Sequence, residues 1–129
     1  MTTNPVFNHT HTDDFGDVWP NAICRVDTIE VFEAASSTKF RINDQDQYTT
    51  ESTDSDVPVK ITYSVEFWSK IQLKQQGKQP RQFRHDGDEV FTIEMDSEQM
   101  KQVWSQVDDK FQEASVRVAQ WHFKNVVGK

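Results

Sequence analysis

Cysteine is almost missing from this chain of 129 residues. Cys24 stands alone, which excludes an intramolecular disulfide, points to a reducing context, and leaves its thiol to pack as a small apolar group. Glycine and proline number four each. Neither G-x-S-x-G, a P-loop nor G-x-G-x-x-G occurs, and so little glycine argues against backbone cradles for phosphates. No apolar run approaches the length of a bilayer span, so no membrane contact is expected. Met1 to Asp17 lacks the positive and apolar regions of a secretory signal. The expected location is the cytoplasm, or a virus particle assembled there.

Basic residues are scarce in the first half. Residues 1–56 carry 3 basic and 11 acidic side chains, whereas residues 57–129 carry 11 and 10. Within residues 60–84 the six cations Lys60, Lys70, Lys74, Lys78, Arg81 and Arg84 face Glu66 alone, a basic band in a chain of net charge −7. Large aromatic side chains are abundant, with nine Phe, four Trp and two Tyr. They can build a core from few residues and leave some for a partner.

The patterning predicts one α+β domain over residues 21–129, preceded by a flexible N-terminal arm over residues 1–20. The arm is polar, with isolated Phe7, Phe15 and Trp19 and no packing period. Residues 23–35 read as a strand with a bulge, although Asp27 and Glu30 also fit a helix capping box. Lys39 to Ile42 reads as a short return strand, and residues 43–56 as a solvated acidic loop or hairpin tip. From Val57 to Leu73 apolar residues hold the odd positions almost throughout, which predicts one long, bent strand with Trp68 on its wet face. Val90 to Met95 reads as another strand. Asp96 then fits an N-cap. The stripe Met100, Trp104, Val107, Phe111, Ala114, Val118 and Trp121 predicts a helix about 45 Å long. The fold expected is a curved antiparallel sheet of about four strands followed by this long C-terminal amphipathic helix. Such a stripe outreaches one small sheet, so its Val118 to Val127 end needs another surface, which a bend at Ser115 or a second chain would supply; the expected contacts of a homo-oligomer are Met100, Trp104, Val107, Phe111, Val118 and Trp121.

Catalytic chemistry finds no footing. His9-x-His11 with Asp13 and Asp14 has metal-ligand types but no third anchored donor. Asp44, Asp46 and Glu51 lack the glycine and spacing of a calcium loop. His85, Asp86, Asp88 and Glu89 are accounted for by a turn at Asp86-Gly87, and neither Cys24 nor His122 has a sequence-evident partner. A non-enzymatic protein with no cofactor and no metal is expected. The basic band with interleaved aromatics remains. Cations track a phosphate backbone and flat rings stack unpaired bases, which points to single-stranded DNA or RNA held by Lys60, Trp68, Lys70, Lys74, Lys78, Arg81 and Arg84, with Phe83 among them.

The order of a strand ending Glu66-Phe67-Trp68, a basic Gly/Pro turn, a short strand, and Ser97-Glu98-Gln99-Met100 opening a helix resembles the PC4/whirly-type single-stranded DNA-binding fold over about residues 57–115. That resemblance implies a four-stranded sheet, a helix that pairs two chains, and nucleic acid on the basic face. A different class fits the arm and the overlong stripe: a structural or assembly subunit, for example of a bacteriophage virion, contacting other subunits. A third reading is an inhibitor that offers an acidic face to a basic partner.

Overall fold

The structure, a computed structural model, describes residues 4–12, 14–33, 35–94 and 111–127. Seven strands form one antiparallel sheet: β1 Val6–Thr12, β2 Val18–Phe32, β3 Ser36–Ile42, β4 Tyr48–Asp54, β5 Lys60–Trp68, β6 Arg81–Gln82 and β7 Phe91–Glu94. A one-turn helix, α1 (Ile71–Gln75), follows β5. The C-terminal helix α2 (Phe111–His122) passes into a π-type turn at Phe123–Val127. The sheet runs β4-β3-β2-β5-β6 and curls into a half-barrel, with β1 also on β2 and β7 also on β5.

The expected four-stranded sheet with a long final helix is therefore corrected: sheet dominates, and α2 is 12 residues long. The expected N-cap at Asp96 and the side chains of Met100, Trp104 and Val107 lie outside the described residues.

The long strand β2 organises this sheet. Along one edge it pairs first with β1 and then with β3, and along the other with β5. Fifteen residues of flat strand could not follow a curled sheet, and the register slips between Val26 and Thr28. The extra residue bends the strand and shifts the side-chain alternation by one. Ala22, Cys24 and Val26 point inward before the bulge, Ile29 and Val31 after it, and all five are fully buried. The imperfect alternation in the sequence is this bulge.

The long strand expected over residues 57–73 is shorter, because β5 stops at Trp68 and Ile71 and Leu73 fall in α1. A buried indole N–H needs an acceptor. The chain folds back through α1 so that the Lys78 carbonyl accepts it at 2.8 Å. Nor is the N-terminal segment a bare arm: β1 aligns Phe7, His9 and His11 on one face, and the two imidazoles pack as aromatic rings. His11 lies 4.8 Å from Phe67 and 4.7 Å from Phe83, ring centre to ring centre, and His9 5.2 Å from Phe123.

α2 covers the concave side. Small Ala114, Ser115 and Ala119 allow close approach, Val116 fills between them, and Phe123 is wholly buried 4.8 Å from the Phe83 ring. Over the described side chains the buried face is rotated from the predicted stripe: Ala114 is buried, but Val118 is half-buried and Trp121 is 62% exposed, and the Phe111 side chain lies outside the described residues.

Tyr63 and His122 join helix to sheet through a 2.7 Å hydrogen bond between the phenol and Nδ1. Burial lowers the His122 pKa from 6.5 and raises that of the Tyr63 phenol. As pH falls through the window between 6.5 and the lower folded value, the unfolded chain takes up a proton that the folded chain resists. Stability contributed by neutral His122 is complete above about pH 6.5 and is lost in that window. Urea midpoints compared at about pH 7.5 and about pH 5 should therefore drop more in the natural protein than in His122→Gln. Equal drops would assign the acid sensitivity to other groups.

Candidate nucleic-acid interface

The structure divides the predicted basic face. Lys60, at the start of β5, lies 5.4 Å over the Phe32 ring, at the opposite end of the strand from Trp68. Trp68 itself is only 5% exposed, so no ring face is offered to a base. It sits between two cations, the Arg25 guanidinium at 4.9 Å and the Lys74 ammonium at 5.7 Å.

These cations belong to a partly buried ionic cluster, with Arg25 at its buried end and Asp46 at its exposed end. Arg25 Nη1 donates to Asp46 Oδ1 (2.7 Å) and to the Asn43 carbonyl (3.2 Å), while Nε donates to Glu66 Oε1 (2.7 Å). Lys74 Nζ donates to Asp46 Oδ2 at 2.9 Å. Burial opposes the charge of Arg25, but its hydrogen bonds to Asp46 and Glu66 outweigh it and raise the guanidinium pKa. Burial likewise pushes Asp46 up, and Lys74 and Arg25 together overcome it and lower the carboxyl. For Glu66 burial wins despite Arg25, and its pKa is raised. Arg25 and Lys74 thus hold the β3–β4 turn against the sheet, with the Trp68 ring packed between them.

The other predicted cations stay outside. Lys70 and Lys78 are exposed beside α1, and Arg81 and Arg84 flank a groove of about 390 Å³. Phe67 and Phe83 form its floor, and Gln82 is fixed by a 3.0 Å bond from Nε2 to the Val65 carbonyl. The Arg81 guanidinium lies 4.8 Å over the Trp19 ring, which meets Phe67 edge-on at 5.1 Å. Arg84 pairs with Glu89, a hydrogen bond that raises the guanidinium pKa. Phe15 stands at the mouth, 83% exposed. Asp14 closes one side.

Sequence reasoning missed Phe15, Trp19 and Asp14 because they precede Pro20 in a segment without periodicity. The one available signal was Asp14-Phe15-Gly16-Asp17, a turn composition carrying a large ring.

The remaining candidates are spent on structure. Cys24 is fully buried, and burial pushes its thiol up to about 12, far from a nucleophile's range. His9 and His11 are packing rings. Among the described residues no group of three or more His, Cys, Asp or Glu gathers as a metal site, and no helix is long and apolar enough to cross a membrane.

Removing the buried Arg25 from the cluster has a measurable cost. Arg25→Ala would leave Glu66 and Asp46 without their guanidinium and uncover Trp68, and is expected to cost about 3–5 kcal/mol in urea unfolding. A loss below about 1 kcal/mol would mean that the cluster is solvated in solution. No protein family, curated protein or solved structure matches this chain.

Proposed function

We propose that this is a non-enzymatic binding protein that takes single-stranded nucleic acid in the groove beside β6. Arg81, Arg84, Lys78 and Lys70 would follow the phosphates, and a base would stack on Phe15 at the mouth. The observation that carries the reading is the exposed Phe15 set at a groove flanked by two arginines. Trp68 and Lys74 drop out as contacts, since both are engaged in the cluster under the β3–β4 turn.

Asp14 and Glu89 line the groove itself, but the acidic strand β4 lies away from it. β4, with Glu51 and Asp54, lies four strand positions from β6. Four inter-strand steps are about 19 Å along the sheet, roughly two Debye lengths at physiological salt. Three or four phosphate contacts imply that affinity falls with a log–log salt slope of about −2 to −3. A labelled oligo-dT should bind at about 20 mM salt and weaken at least 100-fold by about 200 mM. Arg81→Ala with Arg84→Ala should weaken it a further 10-fold or more at low salt, by roughly one lost phosphate contact each. Absence of binding at low salt would overturn the reading.

A second reading, a subunit of a larger assembly, is favoured by a separate observation. Among the described residues β4 pairs only with β3, and α2 presents Trp121, with Val126 of the following turn 55% exposed. Light scattering across a range of protein concentrations should then show a mass that rises in discrete steps and falls back in Trp121→Ser. A monomer at every concentration would remove this reading.

A further inference from the structure

The tight turn beside the groove holds an anion supplied by the chain itself. His85 and Asp88 exchange backbone hydrogen bonds of 3.0 and 2.9 Å around Asp86 and Gly87. Both central residues sit at positive φ, +52° and +83°. Two central residues at positive φ make a type I′ hairpin turn, and in a turn successive N–H groups can converge into a concave anion-binding nest. The Asp14 carboxylate fills it. Oδ1 accepts the Asp86 N–H at 3.0 Å, and Oδ2 accepts the Gly87 N–H at 3.1 Å, across more than seventy residues of chain.

A carboxylate bridging two adjacent amides has the charge and oxygen spacing of two oxygens of a phosphate. Arg84, the residue before the turn, adds a guanidinium that already pairs with Glu89 and is close enough to feel the charge of Asp14, so a bound oxyanion must share it with Glu89. Asp14 and Arg84 also line the same groove. Two converging amides, a guanidinium and an open groove form an oxyanion receptor whose seat is taken. Tethering keeps the internal anion at a high effective concentration, so a free anion must compete with it.

We propose that the Asp86–Gly87 nest with Arg84 is a site for a phosphate-type oxyanion, and that Asp14 is its internal competitor, displaced when that ligand binds. Leaving the nest also frees the segment that carries Phe15, so anion binding and the position of the aromatic ring are coupled. The inference deepens the groove reading and rests on it only for what the phosphate is attached to. A free phosphate and a nucleic-acid phosphodiester share the recognised chemistry.

The test is a titration of the full chain with inorganic phosphate, following the amide NMR signals of Asp86 and Gly87. If Asp14 occupies the nest in about nine molecules of ten, Asp14→Ala should saturate at about tenfold lower phosphate than the natural protein. No saturable shift of the two amides in the variant, or saturation of both proteins at the same concentration, overturns the proposal. Should Asp14→Ala fail to fold, Asp14→Asn, which keeps one acceptor and drops the charge, gives the same comparison with a smaller shift. A parallel arm uses oligo-dT. Tighter binding by the variant supports the proposal with a phosphodiester as ligand. A phosphate response without any oligo-dT binding supports the anion site and sinks the nucleic-acid reading alone. Equal oligo-dT affinity for both proteins, with no phosphate response, leaves the groove standing and removes the competitor.

Discussion

Everything in this fold hangs on one strand that must serve three neighbours while bending. β2 pairs with β1, β3 and β5 and carries five wholly buried residues on its inner face. A straight strand of that length would splay its ends away from a common core. The bulge at Asp27 resolves the conflict by exchanging one ladder position for curvature. Asp27 is not wasted: its carboxylate accepts the Ser64 hydroxyl at 2.9 Å on the strand opposite. The inner face then closes over Phe123, whose ring touches those of Phe7, His9 and Phe83.

The outer face shows how a sequence can be rich in cations without offering them to a partner. Arg25 and Lys74 are satisfied by Asp46 and Glu66, and their charge is spent on the Trp68 ring and on fastening a turn. Counting lysines along a strand overstates the field available to a ligand whenever carboxylates from elsewhere in the chain come to meet them. Here the carboxylate comes from Asp46, 22 residues before Trp68 in a segment that reads as mere solvated loop. Of the cations that remain, Arg81 lies over the Trp19 ring and Arg84 pairs with Glu89 within reach of Asp14.

What the sequence made legible follows from this. The bulged part of β2 from Ile23, the Lys39 to Ile42 part of β3 and the apolar face of β5 were readable, because burial imposes period-two alternation on Val26, Ile61, Tyr63, Val65 and Phe67. β1 was not readable, since its buried positions are Phe7 and His11, with His9 half-buried beside them, and histidines count as polar until they stack. β4 was not readable either, because a strand that buries almost nothing leaves no hydrophobic trace. The end of β5 was hidden by coincidence: Ile71 and Leu73 continue the odd-numbered pattern although a buried indole forces the chain to turn back. Half of the candidate site was visible as Arg81 and Arg84. The other half, Asp14, Phe15 and Trp19, is joined to them only by the fold.

The β3–β4 hairpin combines two regimes in twelve residues of turn and strand. Its tip is held by Asn43 and Asp46 to Arg25, and Tyr48 donates its hydroxyl to the Val26 carbonyl at 2.7 Å, right beside the bulge. Beyond Tyr48 the strand is exposed and carries only Thr, Ser, Glu and Asp. Folding therefore constrains the tip and Thr53, whose hydroxyl meets that of buried Ser37 at 3.0 Å, far more than the residues between. Thr50 to Ser52 can be rewritten while the core keeps its geometry: a place where a new surface can be acquired without first destabilising the old protein.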